Sequence, residues 1–304
     1  MPPSADMMTW LALAVNQVRF ATEVAGAPGN VSRNVIVACL SLQSGLTSAR
    51  MNEELFETSP PEPAEAEKRT LLSRLPRPPA DFRLTPVSWL VLLLMGVVWP
   101  AFSFYFLDEQ MMLFQFDNLL MEVYYPTITI QLLTLLMILI AVKIERAGFR
   151  DLGLSGWNRW TIPQAIGFLI GANGILFLLQ MIVLGAAPDS MPGFAEMLPS
   201  TGTEKMVWLL LSLTVAFSEE IVFRGYLLTR IARLSRGQLW LAAIISSAAF
   251  ASGHLYQGLG GFVLVFIYGL MFVGFFVYTK SLYPAIIAHF IQDALVVIAP
   301  DLAR

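Results

Sequence analysis

The chain has 304 residues, 56% hydrophobic and only 13% charged, where an ordinary soluble domain is about a quarter charged. Its net charge of −3 offers no basic footprint for nucleic acid. A single cysteine, Cys39, excludes an intramolecular disulfide and any cysteine-based metal cluster.

Residues 1–85 read as a flexible N-terminal region. Trp10 to Val15 and Val35 to Leu42 are apolar patches too short to span a bilayer. The start carries Asp6 and no Lys or Arg ahead of its apolar patch, which argues against a secretory signal peptide. Residues 51–82 are rich in Glu, Pro, Arg and Ala, including Ser59-Pro60-Pro61 and Pro76-Arg77-Pro78-Pro79, the composition of an extended tail. Met51 opens this stretch, and one hypothesis makes residues 1–50 an upstream extension absent from the working protein.

From residue 86 to 304 the apolar residues fall in long runs, which predicts an all-α polytopic membrane helical bundle. A transmembrane β-barrel would show short alternating segments instead, and none is visible. About seven spans are expected: Val87–Leu107, Met121–Val142, Ile162–Leu184, Met206–Leu228, Leu239–His254, Gly261–Tyr278 and Leu282–Ile298. The fifth and seventh are short for about 30 Å of hydrocarbon. Basic residues cluster before the first span (Lys68, Arg69, Arg74, Arg77, Arg83), after the second (Lys143, Arg146, Arg150, Arg159) and after the fourth (Arg230, Arg233, Arg236). Acidic residues hold the opposite loops (Asp108, Glu109 and Asp117; Asp189 and Glu196). This alternation predicts a cytoplasmic N-terminus, most simply in a bacterial plasma membrane.

Against this background the ionisable residues inside the spans stand out, because each costs about 2.5–3.5 kcal/mol at a bilayer centre on insertion scales. The fourth span carries Glu219 and Glu220 with Arg224 behind them. On an α-helix Glu220 and Arg224 share a face, about 40° apart, while Glu219 points elsewhere. Glu220 with Arg224 therefore suits architecture, and Glu219 is free to act as a general base. The chain's two histidines occur in Phe250-x-x-x-His254 and His289-x-x-x-Asp293, each an i, i+4 pair. Such a His–Asp pair can orient an imidazole, bind a metal or aim two polar groups at one atom. Each feature taken alone also fits helix packing. Together, a carboxylate base, two imidazoles and a further polar group can activate water and stabilise an oxyanion, which points to hydrolysis of a peptide bond.

These three patterns, with Gly225 following Arg224, resemble the motifs of the CaaX prenyl protease and bacteriocin-processing family. That family comprises the type II CaaX endopeptidases and their bacterial abortive-infection-like relatives. The likeness covers roughly residues 148–298, and Asp151-Leu152-Gly153-Leu154 resembles a lead-in common there. The resemblance implies an intramembrane glutamate protease with its catalytic core in 203–299. Glu219 and His254 would activate water, His289 and residue 293 would form the oxyanion site, and Glu220 and Arg224 would hold the helix, with Phe250 in support. It implies no cofactor, and as partners a peptide or protein substrate, lipidated or not, and membrane lipids. In one respect the chain departs from the family, whose third motif most often ends in Asn. Here it ends in Asp293, and an ionised carboxylate cannot donate to an oxyanion. Asp293 would have to act protonated or by orienting His289. Glu219, His254, His289 and Asp293 are also a chemically adequate zinc set, although no His-Glu-x-x-His run is present. Two non-peptidase readings remain: a membrane immunity or scaffold protein keeping these residues for structure, and a proton-coupled transporter.

Overall fold

The computed structural model describes residues 75–76, 83–107, 118–183 and 197–298, all within the unit Pro60–Arg304. Residues 1–74, and with them the upstream-extension hypothesis, lie outside the described residues, as does most of the tail. All regular secondary structure among the described residues is helical, with no strand. Seven helical segments run in order: α1 Pro86–Tyr105, α2 Leu120–Ile144, α3 Thr161–Val183, α4 Gly202–Leu234, α5 Leu239–Ser252, α6 Gly258–Thr279 and α7 Tyr283–Ile298. Five of them are long and apolar enough to cross a membrane. The other two, α5 with 14 residues and α7 with 16, are the spans expected to be short.

The helix starts follow from local chemistry. Thr85 caps α1 by accepting from the Ser88 amide, while the Ser88 hydroxyl accepts from the Thr85 amide, and Pro86 follows at the first helical position. Thr201 and Glu204 form the same reciprocal box at the start of α4. Proline also marks two irregularities. In α1 a π-helical turn, Leu94–Val98, precedes Pro100; in α2 another, Leu120–Tyr124, precedes Pro126. A proline ring lacks the N–H and crowds the carbonyl four residues back, and a wider turn there relieves both faults.

α4 is the centre of the bundle. Its middle, Glu220–Leu228, is a nine-residue π-helix, and all nine residues are buried. The main core gathers around it: Val91 and Leu92 of α1, Ile138 and Val142 of α2, Ala249 and Phe250 of α5, and Phe276 and Ile286. Leu75, in the stretch read as tail, joins this core, and Arg233 donates to the Pro76 carbonyl at 3.1 Å. A second core layer lies between α3, α6 and α7, where Phe168 stacks on Phe275 with centroids 4.2 Å apart.

The lead-in loop explains two glycines. Gly153 adopts φ +86°, and a Cβ there would sit 2.5 Å from the Phe276 ring. Its carbonyl accepts from the Leu282 amide at 2.9 Å, tying the loop to the turn between α6 and α7. Gly225 faces the same loop, and a Cβ on it would lie 2.8 Å from the Leu152 carbonyl. The residue after Arg224 is thus glycine because backbone passes directly over it.

α4 runs to Leu234, so Arg230 and Arg233 lie within the helix rather than in a loop. Arg230 is fully buried, and its Nη2 donates to Glu145 Oε2 at 2.7 Å; the Tyr226 hydroxyl donates to Glu145 Oε1, also at 2.7 Å. Two residues counted as loop charges, Arg230 and its neighbour Arg233, are therefore structural. Arg146, Arg236 and Lys280, at the ends of α2, α4 and α6, take positive φ values and close their helices in the left-handed conformation.

Candidate active site

Glu219 is the last α-helical residue before the π turn, and Glu220 the first inside it. The segment through Arg224 is π-helical rather than the α-helix expected there. The pair nevertheless forms, with Arg224 Nη1 donating to Glu220 Oε1 at 2.9 Å and both side chains fully buried. The guanidinium lies 4.1 Å from the Phe250 ring centroid and 5.0 Å from that of Phe272, sandwiched between α5 and α6.

His289 of α7 meets this pair. Its Nδ1 donates to Glu220 Oε1 at 3.0 Å. That bond turns Nε2 towards the other two carboxylates, 3.6 Å from Asp293 Oδ2 and 3.9 Å from Glu219 Oε2. Glu219 is held on its other oxygen: Gln131 Nε2, from α2, donates to Oε1 at 2.8 Å. Ser218 ties the same place by donating to the Gln131 carbonyl at 3.1 Å. Glu219 Oε2 itself is buried with no hydrogen-bond partner among the described residues. Asp293 is fixed through its backbone, whose carbonyl accepts from Trp208 Nε1 at 2.9 Å.

His254 stands further out. α5 ends at Ser252, so His254 sits in the turn before the 3-10 segment Leu255–Gln257 rather than in the span. Its Nδ1 lies 3.2 Å from the Phe250 carbonyl. Phe250 connects it to the rest, with its ring centroid 5.1 Å from that of His254 and 6.0 Å from that of His289. The three motifs thus gather around Phe250. Glu219, Glu220, Arg224, His289 and Asp293 share direct contacts, and His254 approaches through the aromatic ring.

Two participants escaped the sequence reading. Gln131 lies 88 positions before Glu219, and its only signal is a lone amide in an otherwise apolar span. Tyr268, on α6, packs edge-on against Phe272 at 4.7 Å, and nothing in the three motifs points to it. Among the described residues no three His, Cys, Asp or Glu side chains are grouped so that they could hold a metal ion. A cleft of about 700 Å³ opens between the Gly148–Leu154 loop, Phe217 and Tyr283, and neither histidine, nor Glu219, Glu220 or Asp293, lines it.

Residues 201–295 match the type II CAAX prenyl endopeptidase family, Rce1-like. This is the family that the three motifs resemble. The Rce1-like segment begins at the N-cap of α4 and ends just beyond Asp293, so it contains all three motifs. Gln131 and the Glu145 that binds Arg230 lie outside it. No curated protein and no solved structure gives a significant match. The apolar helices and the Rce1-like match point to an integral membrane protein with one segment similar to a protease family.

Proposed function

We propose that this protein is an intramembrane endopeptidase in which Glu219 is the general base. The observation that carries this reading is the state of Glu219: one oxygen is held by Gln131, and the other faces His289 Nε2 at 3.9 Å without a hydrogen-bond partner among the described residues. A carboxylate fixed on one side and bare on the other is placed to take a proton. In this mechanism a water bound between Glu219 and His254 gives its proton to Glu219 Oε2 as its oxygen bonds to the scissile carbonyl carbon. The carbonyl π pair moves onto oxygen, where a protonated His289 donates from Nε2. Asp293 orients and charges that imidazole. When the C–N bond breaks, the leaving nitrogen takes the proton back from Glu219. Glu220 and Arg224 keep His289 and α4 in register. The reaction needs no metal.

The substrate is a peptide or protein segment presented in the bilayer, and lipidation is one route of delivery. The ends of α2 and α4 carry Lys143, Arg146 and Arg236, and Gly153 joins this side to the turn at Lys280. By the positive-inside rule this face is cytoplasmic, and the setting that suits it is a bacterial plasma membrane.

The test compares membrane proteomes containing the wild-type protein or Glu219→Gln. The expected result is a cleavage product present only with wild type, while the variant stays folded in the membrane. Cleavage retained in Glu219→Gln would overturn the mechanism. Identical proteomes, with biological function intact in the variant, would favour the immunity or scaffold reading.

A further inference from the structure

We propose that the Tyr268 hydroxyl is a second oxyanion donor of this site beside His289, filling the place that a carboxylate at 293 leaves empty. The proposal rests on the endopeptidase reading above and names a group which that reading lacks. An oxyanion site needs donors aimed at the developing charge. His289 Nε2 is one. Asp293, when ionised, has no proton to give and repels negative charge.

Helix geometry puts Tyr268 level with Asp293. α6 and α7 are consecutive and antiparallel, and the Phe272 and His289 rings meet with centroids 5.6 Å apart. One turn back along α6 from Phe272 is Tyr268, and one turn forward along α7 from His289 is Asp293. Both steps move about 6 Å in the same direction along the bundle. The charged groups acting on the Tyr268 hydroxyl are those of the site: Asp293, Glu220 and Arg224.

The hydroxyl is also uncommitted. It is buried and has no hydrogen-bond partner among the described residues. A buried hydroxyl in that state costs stability and is usually satisfied. The ring, by contrast, is fully used, packed at 4.7 Å on Phe272 and parallel to Phe168 at 6.2 Å. Packing therefore accounts for an aromatic residue at 268 and leaves the oxygen unexplained; phenylalanine would pack as well.

In the reaction the phenol keeps its proton. It donates a hydrogen bond to the carbonyl oxygen as that atom gains the π electron pair, and the bond lengthens again when the C–N bond breaks and the carbonyl re-forms. No proton leaves Tyr268, so no later step is needed to return one.

The test is Tyr268→Phe in the full-length protein, reconstituted in liposomes beside wild type and Glu219→Gln. The probe is a set of quenched-fluorescent farnesylated CaaX-type peptides, and thermal unfolding is measured on the same samples. The expected result is a kcat lower by about 10²–10³-fold, an unchanged KM, and a melting temperature equal to or above that of wild type, because an unsatisfied group has been removed. A kcat equal to that of wild type would overturn the proposal while leaving the peptidase reading standing. A fall in kcat with a fall in melting temperature would also overturn it, because the hydroxyl would then be structural. Absence of Glu219-dependent cleavage both of these peptides and in the membrane proteomes would remove the peptidase reading, and this one with it.

Discussion

Replacing Arg224 with alanine tests the electrostatic frame of the site most directly. Arg224 and Glu220 are both fully buried and 2.9 Å apart. Removing one member of a buried ion pair typically costs about 3–5 kcal/mol, since the other is left charged in a poor solvent. Glu220 keeps its contact with His289 Nδ1 at 3.0 Å, which argues for the lower end, about 3 kcal/mol for the pair. The guanidinium also faces the Phe250 and Phe272 rings, and losing both cation–π contacts adds about 2 kcal/mol. Arg224→Ala should therefore destabilise the protein by about 5 kcal/mol. The discriminating sample is Glu220→Gln combined with Arg224→Ala. Neutralising the stranded carboxylate should recover about 3 kcal/mol and leave the loss from the rings. Unfolding in detergent, measured for wild type, both single variants and the double variant, gives the coupling energy. A coupling below about 0.5 kcal/mol, the level of independent sites, would refute the view that this pair braces the site.

Two further outcomes follow from the packing and from Gln131. Gly225→Ala pushes a methyl group to 2.8 Å from the Leu152 carbonyl and 3.1 Å from Leu282 Cδ1; it should cost about 1–3 kcal/mol, read as a lowered melting temperature, and an unchanged one would refute the close approach of loop and helix. Gln131→Leu removes the donor on Glu219 Oε1; since a hydrogen bond to a charged group is worth about 1.5–3 kcal/mol, kcat on a cleaved peptide should fall about tenfold or more with KM unchanged, and full activity would show that Gln131 does not position the base.

The sequence made the membrane helices and the three motifs legible because their signals are local. Apolar runs mark spans, and the i, i+4 spacings of Glu220–Arg224 and His289–Asp293 survive in three dimensions as direct contacts. What stayed hidden depends on distance or register. Gln131 meets Glu219 only once α2 packs on α4, and Tyr268 reaches the level of Asp293 only through the antiparallel turn between α6 and α7. Arg230 looked like a loop charge because α4 was expected to stop at Leu228; burying it requires Glu145, 85 positions away. The π-helix at Glu220–Leu228 had no signal at all, since no proline or glycine pair announces where the ladder widens. His254 was placed inside a span, whereas α5 stops two residues earlier.

The burial of all nine residues of that π-helix sets how a membrane-borne peptide can approach. At this level α4 offers no side to the lipid, so under the proposed peptidase mechanism the scissile bond would have to slip between surrounding helices before it met Glu219. Those walls include α1 and α2, both of which precede the Rce1-like segment. Admission, and with it the choice among substrates, would then be governed by parts of the chain that the family match does not reach.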